Sequence, residues 1–449
     1  MERSLFIQYA EKFFAPIISA ITEKWNGKKR EEQLLYKQML TPDYSSDLKF
    51  GADKINHSIV AADVVSMDSS LPLKKRDSFQ RVYGDIPKLG LKFVKREKEI
   101  TEINTMIARG VKQAQIAAKI FDDVAKCMKG IDVRKEIIFL QGISTGVAIA
   151  DSDNNKGIGI RVDYGYKEEN FLRAKKRWNT NGETPVDDLE EVFAKAEADG
   201  NQINVVMMSK KYYDYFKKSD QGKVLAANYS GYNFSSVANL GIPANTVFQS
   251  AFKDHFGADL IIVNSSFRVE KDGVLTTVRP FEEANIVCLP DRNVGRLVYG
   301  TLAEETNPVN GVVYQSAGEG TLISKYSKND PLEEFTAGQA LAIPVIDNGD
   351  QIYVMQAGVD ALGFSPDKLT FTSAADTTGK KVVVTTDAES LSSVSVPTGG
   401  SWATVTFSGK EVLVKVSANT ATGATDRVTT VTVTDSLGQT GTFTVTQED

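Results

Sequence analysis

Apolar side chains recur at helical intervals from about Ser4 to Leu40, at Phe6, Tyr9, Phe13, Ile17, Ile21, Leu34 and Leu35, with Lys, Arg and Glu between them. Proline removes a helical donor and glycine ends helices, so Pro16 and Gly27 predict short amphipathic helices here rather than one rod. From Ser58 to Lys98 the pattern shortens to strand-like runs, Val60 to Val65, Phe79 to Tyr83 and Leu89 to Val94. Lys74, Lys75, Arg76, Lys95, Arg96 and Lys98 fall among those runs. Burying an unpaired cation is costly, so this charged two-stranded excursion is expected to project and meet a partner.

The helical period returns from Ile100 to Lys129, where Ile103, Met106, Ile107, Val111, Ile116, Ile120, Val124 and Met128 form a wide apolar stripe. Thr101 with Glu102 bounds that helix at its start and Gly130 at its end, and a second helix is read from Asp132 to Ser144. Asp151 to Gly157 reads as a polar hairpin turn, followed by a strand from Ile158 to Tyr164. Thr184-Pro185-Val186-Asp187-Asp188 has the proline and acids of a helix start. Strands around Asn204 to Met208, Asp259 to Asn264 and Asn285 to Leu289, with a helix near Ser209, complete an α/β stretch. Long β-rich runs then end at Leu341 to Ile346 and Gln351 to Met355.

After Gln356 helical periodicity gives way to alternation rich in Thr, Val, Ser and Gly. Val382 to Thr386, Ala403 to Phe407, Val412 to Val416, Val428 to Thr434 and Thr442 to Thr446 read as strands with every second residue apolar. Glycines at 379, 399, 400, 409, 423 and 438 punctuate them. This predicts a small antiparallel β-sandwich, in which Phe364, Phe371, Trp402, Phe407 and Phe443 are core candidates.

Bulk properties narrow the function. A chain of 449 residues exceeds what one core supports, and 41% hydrophobic with 24% charged residues is an ordinary globular balance. A net charge of -6 argues against a surface built mainly to wrap nucleic acid. Cys127 and Cys288 lie in different segments with no second ligand type nearby, so neither a disulfide framework nor a zinc site is indicated. Only His57 and His255 are available for imidazole chemistry. In the Asp151 to Gly157 loop the glycine comes one position late for a calcium hand, and Val162 replaces the bidentate acid. Gly157-Ile158-Gly159 lacks the third glycine of a dinucleotide loop. The acidic doublets Glu168-Glu169, Glu190-Glu191 and Glu304-Glu305 point to different faces and make poor acid-base pairs. The apolar run from Phe13 to Ile21 lacks a basic leader and is too short to span a bilayer. No enzyme, cofactor or membrane association is expected; synthesis in a cytoplasm is.

Three landmarks stand in fixed order: Val162-Asp163-Tyr164-Gly165, Trp178 leading into Thr184 to Leu189, and Leu289-Pro290-Asp291 through Gly295-Arg296-Leu297-Val298-Tyr299-Gly300. In that order and at those separations they resemble the major capsid protein E family of tailed bacteriophages. The resemblance implies an α+β chain of the Hong Kong 97 type capsid fold. Its parts would be an N-terminal arm over 1–49, an extended loop hairpin over 50–98, a peripheral domain with its spine helix over 99–188, an axial domain over 189–290, and peripheral return strands over 291–356. It implies a head protein that assembles with itself into hexamers and pentamers of an icosahedral shell, made in the host cytoplasm and residing in the virion. Portal, scaffold and decoration proteins would be its partners, with weak contact to packaged DNA on the inner face. Lys74, Lys75, Arg76, Lys95, Arg96 and Lys98 become expected inter-subunit contacts of the extended loop. A bacterial encapsulin shares the shell fold, but the element order is closer to the phage family.

Trp402, Asn419, Arg427 and Gln447 within 357–449 resemble the bacterial immunoglobulin-like module called BACON. That makes the tail an all-β immunoglobulin-like sandwich on the outside of the shell, for decoration or stabilisation, with Trp402 as a glycan contact for host or mucus sugars. The alternative from another class is a carbohydrate-binding cell-surface or secreted protein of a Bacteroidetes bacterium.

Overall fold

The computed structural model describes residues 3–27, 33–54, 80–150, 159–179, 182–271, 273–360, 362–386, 388–419, 426–436 and 440–448. The architecture is mixed α and β. The chain forms two compact units: Met1–Phe171, Phe193–Lys210 and Gly257–Val354 make one, and Leu172–Val192, Lys211–Phe256 and Met355–Asp449 the other.

The first unit is built on a six-stranded sheet. Its long strand Glu333–Ile346 pairs antiparallel with β4 (Lys88–Arg96), with Thr321–Lys328 and with Gly295–Tyr299. Val313–Gly318 continues the sheet beside Thr321–Lys328, and β1 (Leu40–Tyr44) adds a parallel strand outside Gly295–Tyr299. Helix α5 (Asp122–Thr145) packs on Glu333–Ile346, burying Ile131, Ile138 and Leu140 with Ala340, Ala342 and Ile343. Strands Val205–Ser209 and Asp259–Val263 run parallel, and Asn285–Leu289 pairs antiparallel with the former, where the sequence pattern expects them.

Several sequence expectations are corrected here. Helix α1 (Ile7–Asn26) is continuous through Pro16. A mid-helix proline costs about 3 kcal/mol, but Phe6, Ala10, Phe14 and Ile18 repeat every four residues and are all buried. They share one core with Ile116, Ile120 and Phe121. Each large side chain so buried returns about 1.5–3 kcal/mol, and Pro16 sits on the exposed face, so packing wins.

The stripe from Ile100 to Lys129 is three helices: α3 (Glu97–Ala108), α4 (Gln113–Ile120) and the first turns of α5. The break falls at Gly110, in the left-handed region at φ 69°. Gly130, read as a terminator, lies inside α5 where a Cβ would stand 2.8 Å from Leu91 Cδ1. It is a close-approach glycine that lets α5 settle on β4.

Nor does β4 project. It follows a short antiparallel pair, β2 (Lys49–Lys54) with β3 (Gln80–Asp85), but itself belongs to the central sheet. Strand alternation puts Leu89, Leu91, Phe93 and Lys95 on one face. Lys88, Lys92 and Arg96 are exposed on the other, so most of the charge never enters the core.

In the second unit, Phe216 is the centre of an aromatic cluster, with ring centroids 5.3 Å from Trp178, 5.1 Å from Phe248 and 6.1 Å from Phe252. The tail forms two four-stranded sheets around a shared core of Leu369, Phe371, Val382, Val412, Val431, Phe443 and neighbours. The predicted strands are present, joined by Gly363–Ser365, Lys368–Phe371 and Leu391–Ser395. Phe407, expected in that core, is 40% exposed, because it lies near the rim end of its strand.

Candidate assembly elements

The three sequence landmarks are ties inside the chain. Arg296 clamps Asp347 with two hydrogen bonds, Nε to Oδ2 at 3.0 Å and Nη2 to Oδ1 at 3.2 Å. Its Nη1 also donates to Asp43 Oδ2 at 2.8 Å, and Nη2 to the Gly51 carbonyl at 2.8 Å. One planar fork thus joins β1, the root of β2 and the turn after Glu333–Ile346, a geometry that a lysine does not reproduce. Beside it Gly295 must lack a side chain, since a Cβ there would lie 2.1 Å from the Val345 carbonyl oxygen.

At the first landmark, Asp163 Oδ1 accepts from Gly165 N at 2.8 Å, fixing a corner that Gly165 completes at φ 66°. Tyr164 is buried, donates to the Pro344 carbonyl at 2.8 Å and lies flush on Gly142 of α5. Its hydroxyl is held well above the ordinary tyrosine range by burial. At the second landmark, Trp178 Nε1 donates to Asp188 Oδ2 at 2.8 Å, and the Lys175 backbone donates to Oδ1 at 3.1 Å. Burial raises the Asp188 pKa, and these donors offset part of that rise.

Buried charges fasten the arm, and no periodicity of the chain signals them. Lys325 and Glu334 are both 0% exposed and 3.5 Å apart. The same Glu334 carboxylate accepts from the Ser4 hydroxyl and, at 3.1 Å, from Leu5 N, just ahead of α1. Glu136, on α5, accepts from the backbone N–H groups of Leu35 at 3.0 Å and Tyr36 at 2.9 Å. Those are the first free donors of α2 (Leu35–Met39), so this carboxylate caps a helix from outside it. Burial pushes the Glu136 pKa up to about 7.

Of the six cations expected to reach a neighbour, Lys74, Lys75 and Arg76 lie outside the described residues, as do Lys28 to Arg30, His57 and the Asp151 to Gly157 loop. Lys95 is 3% exposed, held by Asp122 and, at 2.9 Å, by Asp123, so its charge is used inside the subunit. Arg96 and Lys98 are exposed at the start of α3, where Arg96 N donates to Glu99 Oε2 at 3.2 Å. Trp402 is partly buried with the Arg427 guanidinium 4.6 Å from its ring centroid. Arg427 Nε and Nη2 bond Gln447 Oε1 at 2.9 and 2.7 Å, and Gln447 Nε2 reaches the Thr372 and Ser417 carbonyls at 2.9 and 3.1 Å. These residues close one end of the two-sheet tail. Cys127 and Cys288 are buried free thiols, each pushed up to about 12 by desolvation. Among the described residues no helix is long and apolar enough to cross a membrane.

The model of the family described as phage major capsid protein E matches residues 18–352, spanning all three landmarks. The chain belongs to the phage major capsid protein E family. It is therefore a structural protein of a phage capsid, with its place in the virion. The two sheets of the tail lie beyond the matched residues of this capsid protein. A candidate prophage capsid protein of Escherichia coli CFT073 is similar at 15% identity and TM-score 0.47, covering 76% of this chain and 98% of that one. A phage-related protein of Bordetella bronchiseptica RB50 has 12% identity and TM-score 0.42, covering 77% and 98%. The mature capsid of bacteriophage PhiM1 has 10% identity and TM-score 0.38, covering 72% and 86%. No curated protein sequence matches this capsid protein.

Proposed function

We propose that this capsid protein tiles a closed icosahedral head of the Hong Kong 97 type, assembling through hexamers and pentamers around the genome. The family match over residues 18–352 carries the reading. A ring of identical subunits needs heterologous contacts that close by rotation, and a rigid tile with a fastened arm suits them. The arm capped by Glu136 and Glu334, and the fork of Arg296 at the root of β2, provide that rigidity. The part of 50–98 that precedes β4 is the proposed extended loop lapping a neighbour, with Lys74, Lys75 and Arg76 as its contacts, and Arg96 and Lys98, exposed where β4 meets α3, are proposed as further contacts. Portal, scaffold and decoration proteins, and weakly held DNA on the inner face, are the proposed partners. The tail is proposed as an immunoglobulin-like bead on the outer face. Expression of the full chain alone, imaged by negative stain, tests the proposal: closed shells of uniform diameter are expected, and a monodisperse monomer across salt and crowding conditions overturns it.

A further inference from the structure

Polar side chains converge on the peptide bond between Arg3 and Ser4. The Ser327 hydroxyl donates to the Arg3 carbonyl oxygen at 2.7 Å. The Ser4 hydroxyl donates to Glu334 Oε1, and because Phe6 N donates to the same Ser4 oxygen at 3.3 Å, the hydroxyl proton is left for the carboxylate. Ser327 and Glu334 stand opposite each other in the register of Thr321–Lys328 with Glu333–Ile346, so the sheet itself brings both to this bond. Lys325 Nζ at 3.5 Å and Leu5 N at 3.1 Å hold the Glu334 carboxylate in place. Gly311, at φ 86°, makes room for the segment, since a Cβ there would lie 3.2 Å from Arg3 N. Ser4, Ser327 and Glu334 are buried, yet Arg3 and Leu5 are exposed, which sets the bond at the edge of solvent.

We propose that Arg3–Ser4 is a self-processing site, at which Ser4 attacks the carbonyl that precedes it and the chain is cut there. A hydroxyl held against a base, the base oriented by further groups, and a donor on the carbonyl oxygen that turns negative are the parts that acyl transfer needs. The bond from Ser4 Oγ to the Arg3 carbonyl carbon forms as the hydroxyl proton passes to Glu334, which hands it to the Ser4 nitrogen as the C–N bond breaks. Arg3 is then carried as an ester on the Ser4 oxygen. Water hydrolyses that ester, leaving Arg3 with a carboxylate and Ser4 with its hydroxyl and a free α-amine. The net change is hydrolysis of one amide, with water as the only co-reactant. Ser327 stabilises the oxyanion in both steps. The residues that dock α1, Phe6, Ala10, Phe14 and Ile18, all lie after the cut and keep their core. The same bonds fasten the arm, so a new N-terminus is what separates a reaction from a tie.

The test follows the intact mass and N-terminal sequence of the purified full chain in mildly alkaline buffer, and its reading does not depend on shell formation. Wild type should lose residues 1–3 as one tripeptide and begin at Ser4. Hydroxylamine, which cleaves esters far faster than amides, should speed the loss and leave a hydroxamate on Arg3. Ser4→Ala should keep residues 1–3, and Ser327→Ala should be processed about 100-fold more slowly, as on removal of one oxyanion donor. Wild-type chain that keeps residues 1–3 even with hydroxylamine overturns the inference. Release from Ser4→Ala, or loss of one residue at a time, would mark a contaminating peptidase and also overturns it. Should Ser4→Ala not fold, Ser4→Cys gives the reading through a thioester: tripeptide released by an added thiol supports the site, and an unchanged N-terminus refutes it.

Discussion

Lys325 and Glu334 sit diagonally across adjacent strands with Nζ and Oε1 3.5 Å apart and neither side chain exposed to solvent. Desolvation lowers the lysine pKa, and the glutamate opposes that shift. Replacing Lys325 by Met would leave a carboxylate buried without its counter-ion. Removal of one partner of such a pair typically costs about 3–5 kcal/mol, so Lys325→Met should lower the urea midpoint strongly. Adding Glu334→Gln should recover part of the loss, because the buried charge is gone, the amide oxygen still accepts from Leu5 N and the amide nitrogen can donate to the Ser4 hydroxyl oxygen. A double variant no more stable than the single one would contradict this account.

The second expectation concerns pH. Folded Glu136 titrates at about 7 against an ordinary 4.5, because burial disfavours its charged form. A raised carboxyl pKa means that the folded chain holds a proton which the unfolded chain has already released. The stabilisation is therefore fully present below about pH 4.5 and is lost as pH rises to about 7, a change on the order of 3 kcal/mol. Denaturation of wild type and Glu136→Gln at intervals between pH 4.5 and 8 checks this. The stability difference between the two should shift in favour of the variant as pH rises, then level off above about pH 7. A pH-independent difference would exclude the titration.

Gly295 gives a sharper steric expectation. A Cβ at that position would meet the Val345 carbonyl oxygen at 2.1 Å, and a backbone atom in a paired strand cannot swing aside. Gly295→Ala should therefore cost more than about 3 kcal/mol, the range reserved for disrupted cores, and yield mostly insoluble chain. Gly241→Ala, where nothing lies within 4 Å, should leave the thermal midpoint nearly unchanged. Equal behaviour of the two would remove the explanation.

What the sequence made legible follows from periodicity. Alternation identified most tail strands because both sheets bury one face, and the landmarks identified the family because each is a short run of residues at a fixed place in the order of the chain. The missing parts share another cause. Pro16 reads as a breaker only locally, and what decides its fate is the distant core of Ile116, Ile120 and Phe121. Gly130 reads as a helix end, although its meaning comes from Leu91 on another strand. Lys95 looks like a projecting cation until Asp122 and Asp123 are brought to it. A one-dimensional pattern reports which faces are apolar, whereas partners of buried charges are set by long-range pairing.

The pair Trp178 and Asp188 lets the role of a landmark be separated from mere packing. Asp188 is 0% exposed and has a donor on each oxygen, Trp178 Nε1 at 2.8 Å and Lys175 N at 3.1 Å. Trp178→Phe retains an aromatic ring near Phe216 but leaves one carboxylate oxygen without that donor. An unsatisfied buried group costs about 1–3 kcal/mol, more when charged, and the carboxyl should answer by taking up a proton at higher pH than before. Asp188→Asn keeps one accepting oxygen and turns an amide donor toward an N–H, so it should also destabilise. The discriminating variant is the double one. If the hydrogen bond is the main interaction, Trp178→Phe with Asp188→Leu should cost clearly less than the effects of Trp178→Phe alone and Asp188→Leu alone added, because no buried carboxylate is then stranded. Strict additivity in urea denaturation would show instead that the indole ring matters through its volume alone.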